Sequence, residues 1–257
     1  MNKVSAIFIK EFKGFIFNPN FYIVCFLCSV IFSWMYPITL KQFSEQLANA
    51  YFQQGMPQQY LNIHYSVFQR HLSVLNLILI FIVPALTMRL FAEEKKMRTF
   101  DLLLTSPITS IQIVVGKYLA ALGAILFIVL VAFLYPLATA VFAKINWLPL
   151  IIAFLGIFLL AATYAAMNLF CSSLTESAIV AYVMAVIFNV AIWFLGAGVE
   201  TFDNSSVRAV FEHISLNQHL VSMVEGTVRT NSLIYFGSVI FLFGFLCERV
   251  VEAARWR

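Results

Sequence analysis

Six long apolar runs limit the fold that this chain can adopt. Each run has about 20 residues and almost no charge, and a helix of that length spans the roughly 30 Å hydrocarbon core of a bilayer. Only 11% of the 257 residues are charged, whereas a soluble domain has about a quarter, which it needs to cover a surface facing water. We therefore predict an all-α membrane protein with six transmembrane helices. The predicted helices are residues 21–40, 72–91, 117–142, 147–170, 177–199 and 232–251.

The basic residues between these helices predict an orientation. If the N-terminus is cytoplasmic, most of the 16 Lys and Arg residues fall in inner segments, and the others are spread over longer outer loops. Short loops rich in Lys and Arg stay on the cytoplasmic side of a membrane. Both termini and residues 92–110 are therefore predicted to be cytoplasmic, and the net charge of +4 requires no nucleic acid as a partner.

Residues 1–20 have the pattern of a helix that lies in the headgroup plane of the lipid membrane. Apolar side chains repeat at helical spacing from Val4 to Phe15, and lysines occupy another face. Glu11 falls inside the apolar stripe. Its carboxylate either reaches water along the interface or anchors a neighbouring basic group, because a carboxylate in lipid requires water or a partner.

Residues 200–231 contain two further amphipathic patterns. Apolar residues repeat with helical periodicity at 207–214 and again at 216–224, and Gly226 suits the C-cap of the second helix. Two short helices that turn back into the outer leaflet would bury both apolar stripes and satisfy their backbone groups. This segment is therefore predicted to be a re-entrant helical pair between spans 5 and 6.

The polar residues show no arrangement that suits catalysis or metal binding. All four histidines fall in outer segments, at spacings that do not suit a metal site. Cys25 and Cys28 form a C-x-x-C in the middle of the first span, where cysteines usually serve as small apolar fillers. The string VVGKY at 114–118 resembles the end of a phosphate-binding loop only superficially. Such a loop needs Gly where this chain has Ile111, and Ser or Thr where it has Tyr118. We expect a non-catalytic chain without a cofactor or metal.

The predicted spans contain mild polarity and no central charge. An ion-driven transporter usually places a charged residue or a histidine there, because a charge at mid-bilayer is retained only where function needs it. The polar residues that remain are Asn76, Thr163, Asn168 and Asn189. They either form hydrogen bonds between helices or line a substrate path.

The segment between spans 2 and 3 is the only sizeable inner loop. It begins with a charged face that starts at Glu93, and it continues with an apolar edge. The apolar edge consists of Phe100, Leu103 and Leu104. Pro107 ends the helical pattern, because proline has no amide donor and disfavours helix at the preceding residue. The pattern predicts either a short amphipathic helix that docks in a groove of a soluble partner or a solvated loop that anchors the topology.

The string EEKKMRTFDLLLTSPITSIQIVVGKYLAA resembles the signature loop of ABC-2 type exporter permeases. That loop commonly reads E-E-K-x-x-G-T-x-E-x-L-L-x-x-P, with G-K further along. The matching positions are Glu93, Glu94, Lys95, Thr99, Leu103, Leu104, Pro107, Gly116 and Lys117. Arg98 stands where the family often has Gly, and Asp101 where it often has Glu.

The resemblance extends over nearly the whole chain. IKEFKGFIFNPNFYIV resembles the interfacial helix of the family, with Lys10 and Glu11 as its K-E pair. SLNQHLVSMVEGTVRTNSLIYF resembles the outer re-entrant segment, and ERVVEAARWR resembles the basic C-terminus. Within the family, the sequence is most similar to the branch associated with gliding motility and with copper-enzyme maturation.

The resemblance implies one transmembrane domain, residues 1–257, in the bacterial cytoplasmic (inner) membrane. Its parts are the interfacial helix 1–20, the cytoplasmic coupling segment 92–110 and the outer re-entrant segment 200–231. The chain would be the permease subunit of an ATP-driven exporter. ATP-binding cassette ATPase subunits on separate chains would hold ATP and Mg, and a second permease subunit would complete a homodimer or heterodimer.

The resemblance also implies that a helix at about 93–106 transmits the movement of the ATPase to the spans. The residues expected to contact the ATPase are Glu93, Glu94, Lys95, Arg98, Thr99, Phe100, Leu103, Leu104 and Pro107. The alternative is a membrane scaffold or signalling subunit, which would hold a cytoplasmic partner through the same loop without transport.

Overall fold

A computed structural model describes residues 3–52, 62–197 and 205–255. Within these ranges every regular element is a helix. The helices are α1 (Lys3–Ile16), α2 (Pro19–Phe52), α3 (Gln69–Thr87), α4 (Arg89–Lys96), α5 (Thr99–Thr105), α6 (Ser110–Thr139), α7 (Trp147–Leu174), α8 (Ala178–Ala197), α9 (Ser205–Ile214), α10 (Leu216–Val224) and α11 (Thr230–Arg255). A π-helical turn, His64–Phe68, leads directly into α3.

Six helical segments are long and apolar enough to cross a membrane, which confirms the predicted fold class. They are Pro19–Asn49, His64–Lys96, Ser110–Thr139, Trp147–Leu174, Ala178–Gly196 and Thr230–Arg255. Most of them extend beyond the predicted spans. Hydropathy marks only the part of a helix that suits lipid, whereas the backbone hydrogen bonds of a helix continue equally well outside the membrane.

The second span extends into the segment that was predicted to contact a partner. It was predicted to end at residue 91, but α4 continues it to Lys96. The third span begins at Ser110, ahead of its predicted start at 117. Residues 97–109 therefore join the two spans, whereas residues 92–96 and residue 110 of the predicted coupling segment 92–110 belong to the ends of the spans themselves.

Helix α7 lies at the centre of the bundle. It packs against α3, α6, α8, α10 and α11, and 72% of its most apolar segment is buried. The small residues Ala161 and Ala165 are fully buried on this helix, and Ala120 and Ala124 are buried on α6. Small side chains allow helix axes to approach closely in a membrane, so these positions explain how α7 accommodates several neighbours.

Two short helices occupy part of the predicted re-entrant segment 200–231. Helix α10 packs against α7, α8 and α11, and its Leu220 and Met223 are buried. Gly226 ends it with φ +85°, where a Cβ atom would lie 2.6 Å from Cβ of Pro149. The helices and the glycine C-cap are as predicted. Insertion of the pair into the outer leaflet stays a prediction, and residues 200–204 lie outside the described ranges.

Candidate functional site

Helix α1 packs closely along α6, and two glycines of α6 permit the contact. A Cβ atom at Gly116 would lie 2.8 Å from Cβ of Ile7, and one at Gly123 would lie 2.7 Å from Cε2 of Phe12. The glycines are seven residues apart, so they lie on one face of α6 about two turns apart. The predicted N-terminal helix is therefore present, but part of its apolar stripe is covered by α6 and is not left to lipid alone.

Lys117 follows the first of these glycines and is fully buried, with its ammonium group surrounded by partners. Its Nζ lies 2.8 Å from Oε2 of Glu94 and 3.1 Å from Oε1 of Glu11. It also donates a hydrogen bond to the carbonyl oxygen of Leu90 at 2.6 Å. The ammonium group therefore donates two hydrogen bonds, to Glu11 and to Leu90, and forms a close ion pair with Glu94.

Lys10 completes a four-charge cluster, which consists of Lys10, Glu11, Glu94 and Lys117. Its Nζ lies 3.1 Å from Oε1 of Glu94 and 3.3 Å from Oε1 of Glu11. Partial burial lowers the pKa of Lys10, but the carboxylates of Glu11 and Glu94 outweigh it, so the pKa lies above its ordinary value. The cluster has no net formal charge and links α1, α4 and α6. Of the two interpretations of Glu11, the structure favours the anchor for a basic group.

A sharp turn separates α4 from α5 at Arg98. The backbone of Arg98 has φ 55° and ψ 18°, in the left-handed region, and its amide donates to the carbonyl oxygen of Lys95 at 3.1 Å. This turn corrects the prediction of one continuous helix over 93–106. The family often has Gly at this position, and Gly adopts the left-handed conformation without the steric cost that other residues incur. The pattern therefore contained a signal for the turn.

The side chain of Phe100 points into the protein. It is 3% exposed, and its ring centroid lies 6.2 Å from that of Phe91 in a T-shaped arrangement. The ammonium of Lys95 lies 5.5 Å from the same ring and donates to the carbonyl oxygen of Ser173. Contact of Phe100 with the ATPase stays a prediction, but little of the ring is exposed, because the turn at Arg98 directs this face of α5 toward α4.

Two apolar residues that the sequence interpretation missed face outward instead. Met97 is 72% exposed and Leu102 is 71% exposed. Leu103 is partly buried against the same apolar cluster as Phe100, and the side chain of Leu104 lies outside the described part of the chain. Because three leucines occur in a row, spacing alone did not distinguish the outward one. The exposed polar residues beside them are Lys96, Arg98, Thr99, Asp101 and Thr105, and Pro107 is exposed as well.

Contacts at its C-terminal end hold the segment that carries these residues. The ammonium of Lys3 donates to the carbonyl oxygen of Pro107. Thr109 and Gln112 form a capping box at the start of α6, in which Gln112 Oε1 accepts from the amide of Thr109 at 3.2 Å. Ser110 donates to the carboxylate of Glu252 on α11. The outward surface is thus held against α1, α6 and α11.

The polar residues predicted inside the spans do not form one site. Asn76 donates to Oδ1 of Asn217 on α10 at 3.1 Å, and Asn189 donates to the carbonyl oxygen of Ile80 on α3 at 3.2 Å. Thr163 bonds within its own helix. The amide of Asn168 is buried and has no hydrogen-bond partner among the described residues. Hydrogen bonding between helices therefore accounts for Asn76 and Asn189.

A cavity of about 420 Å³ opens between α3, α8 and α10, where Asn76, Asn217 and Trp193 line it. The three other polar span residues, Thr163, Asn168 and Asn189, lie away from it. In the described ranges, no group of three or more His, Cys, Asp or Glu side chains could hold a metal ion. The site therefore consists of a junction between helices, held by the four-charge cluster, and of the outward surface of the α4–α5 turn.

Comparison with known proteins assigns this arrangement to a family. The sequence model of the family described as "ABC-2 family transporter protein" matches residues 5–205. The match includes the four-charge cluster, the turn at Arg98 and the outward surface. None of the curated proteins compared with this sequence matches it.

Proposed function

Because the chain belongs to the ABC-2 family of transporter proteins, we propose that it is the permease subunit of an ATP-driven exporter. ATP hydrolysis takes place on a partner ATPase, which holds ATP and Mg, and a second permease subunit, identical or different, completes the transporter. The chain itself lies in a bacterial inner membrane with both termini in the cytoplasm. The branch associated with gliding motility and copper-enzyme maturation stays a prediction from sequence resemblance.

The observation that carries the proposal is the outward surface of the α4–α5 turn. Met97 and Leu102 expose large apolar side chains beside Arg98 and Asp101. Apolar anchors that enter a groove contribute most of the affinity of a protein interface, whereas charges at its rim set orientation and rate. We assign this surface to the contact with the ATPase.

The four-charge cluster supports the second half of the proposal, the transmission of movement. Glu94 lies on α4, directly before the turn, and it pairs with Lys10 of α1 and Lys117 of α6. A displacement of α4 therefore acts on α6 through the Lys117 pair, which is buried and costly to break, and on α1 through the more exposed Lys10 pair. The ATPase moves the α4–α5 turn, and the cluster transmits that movement to α1 and α6.

The test separates contact from transmission. The ATPase that copurifies with the wild-type chain is measured for copurification and for ATP turnover in nanodiscs. The variant with Met97→Ser and Leu102→Ser should lose the ATPase, because each lost anchor weakens binding by about tenfold or more. Leu148→Ser is the matched control, since Leu148 is 67% exposed at the far end of α7 and should retain it.

Lys117→Met addresses transmission. It should retain the ATPase but lower the part of the ATP turnover that depends on the permease, because the contact surface is intact and the junction is not. If the outward-surface variant copurifies the ATPase as the wild type does, the assigned contact is wrong. If every variant retains the ATPase and its turnover is independent of the permease, the chain is a scaffold or signalling subunit.

A further inference from the structure

An apolar groove runs between α6, α7 and α11, close to the end of the bundle that carries the four-charge cluster. Its volume is about 420 Å³, and its walls include Val115 and Tyr118 of α6, Leu169 of α7 and Phe241 of α11. A volume of roughly 300–1,000 Å³ is typical of sites for small ligands. The groove lies within segments that span the membrane, so the molecules that reach it are lipids and other amphiphiles.

Gly244 creates the space in the middle of this groove. A Cβ atom at this position would have no other atom within 4 Å, so the helix α11 leaves a gap there that none of the described side chains fills. Gly237 lies seven residues earlier, on the same face of α11, and also has open space around it. It does not line the groove, and it provides a matched position for comparison.

One end of the groove carries two opposite charges. Glu248 and Arg249 line that end, and Nε of Arg249 lies 3.4 Å from Oε2 of Glu248, with the Arg249 side chain 63% exposed. The guanidinium also lies over the ring of Phe245, 4.8 Å from its centroid. Both groups are close to the end of α11 at Arg255, where charged side chains reach the headgroup region.

We propose that this groove binds a phospholipid with a zwitterionic headgroup that carries a primary ammonium, namely phosphatidylethanolamine. An acyl chain occupies the apolar groove. The phosphate accepts hydrogen bonds from the guanidinium of Arg249, which suits phosphate oxygens in a two-pronged geometry. The ammonium donates to the carboxylate of Glu248.

Charge complementarity distinguishes this lipid from other occupants. A phosphatidylglycerol headgroup satisfies Arg249 but leaves a net negative charge beside Glu248. A phosphatidylcholine headgroup has no N–H donor for that carboxylate. A helix from a second copy of the chain would bury the Glu248–Arg249 pair against apolar side chains, which removes both charges from water without providing new partners.

Native mass spectrometry of the full chain in detergent tests the proposal. The three lipids named above, with identical acyl chains, are added at equal concentration. The ethanolamine lipid should be retained most strongly. Arg249→Gln should weaken retention of all three by about tenfold or more, because a charge-assisted hydrogen bond to phosphate is lost. Glu248→Gln should remove the preference for the ethanolamine lipid over the choline lipid.

Gly244→Leu should abolish retention, because its side chain fills the groove, whereas Gly237→Leu should bind as the wild type does. Both changes replace glycine with a better helix former at an open position, so the fold is expected to survive, and circular dichroism and gel filtration confirm it. Equal retention of the three lipids, or equal behaviour of the two glycine variants, would overturn the proposal. A change in dimer fraction without a change in lipid retention would assign the groove to a second copy.

Discussion

Arg98 has a backbone conformation that its own side chain makes costly. Left-handed φ values cost a residue with a Cβ atom roughly 1–2 kcal/mol, and among the described residues Arg98 is the only non-glycine residue with positive φ. The turn at Arg98 points Phe100 inward and Met97 and Leu102 outward. The unfavourable backbone conformation of Arg98 is therefore what places Met97 and Leu102 on the outward surface.

Arg98→Gly should stabilise the chain by about 1 kcal/mol, because glycine adopts this conformation without strain. The measurement is thermal or denaturant unfolding of the purified chain in one detergent. Lys96→Gly is the control, since Lys96 is exposed in the last turn of α4 and the change should destabilise by up to about 1 kcal/mol. Equal destabilisation by both changes would show that the arginine side chain contributes more than the turn costs.

Lys117→Met should destabilise the chain by about 3–5 kcal/mol, because it leaves two carboxylates near one another without their buried partner. Lys10→Met should cost at most about 1 kcal/mol, since that side chain is 64% exposed and solvent screens its pairs. Adding Glu94→Gln to Lys117→Met should recover part of the loss. Unfolding of the wild type, Lys117→Met, Glu94→Gln and the variant with both changes gives the coupling as a double-mutant cycle, and strictly additive effects would contradict a direct pair.

The partners of Lys117 illustrate what the sequence could and could not predict. The G-K dipeptide was visible in the pattern, and so was a carboxylate misplaced in the apolar stripe of the first helix. Their pairing joins residues 106 positions apart in the chain. No local period encodes such a contact, because it depends on how closely α1 approaches α6.

The close approach of α1 to α6 depends on Gly116 and Gly123. The neighbour of Gly116 is Cβ of Ile7, which is fixed to the backbone of α1, whereas the neighbour of Gly123 is the outer edge of the Phe12 ring. A ring can rotate, but a Cβ atom moves only with its helix. The two glycines should therefore differ in how well they tolerate a side chain.

Gly116→Ala should displace α1 and expose it to faster hydrogen exchange, together with a loss of about 1–3 kcal/mol typical of overpacking. Gly123→Ala should have a smaller effect. Gly237→Ala is the control: it meets no atom within 4 Å and should stabilise α11 by about 0.5–1 kcal/mol through helix propensity. Unchanged exchange of α1 in the Gly116 variant would show that the contact with α6 does not hold the helix.

Hydropathy predicted the six membrane helices because the required property, about 20 apolar residues, is local. It did not predict where the helices end. The charges of Lys95 and Lys96 suggested the start of a loop, yet both residues continue the second span as α4. The backbone hydrogen bonds of a helix form equally well outside the lipid. Likewise α2 runs 34 residues to Phe52, well past the apolar stretch that identified it.

The membrane-spanning helices differ in how much of their surface is buried within this chain: α7 is mostly buried, and several others are mostly exposed. The most apolar segments of α8 and α11 are each only 17% buried, against 72% for α7. An apolar membrane helix that is so little covered by its own chain contacts lipid or another subunit on its remaining faces. The open faces of α8 and α11 therefore suit contact with lipid or with the proposed second permease subunit.

The charged end of the bundle should face the cytoplasm, because short segments rich in Lys and Arg are retained on that side. A cysteine introduced at Lys96, which is exposed beside the α4–α5 turn, should react with a membrane-impermeant thiol reagent only after the cells are opened. The four native cysteines are all buried, so they contribute little background. Lys41→Cys is the matched control, since the Lys41 side chain is 79% exposed on the opposite side of the first span and should react in intact spheroplasts. Labelling at position 96 from outside, with protection at position 41, would reverse the orientation and place the proposed ATPase surface where no ATP is available.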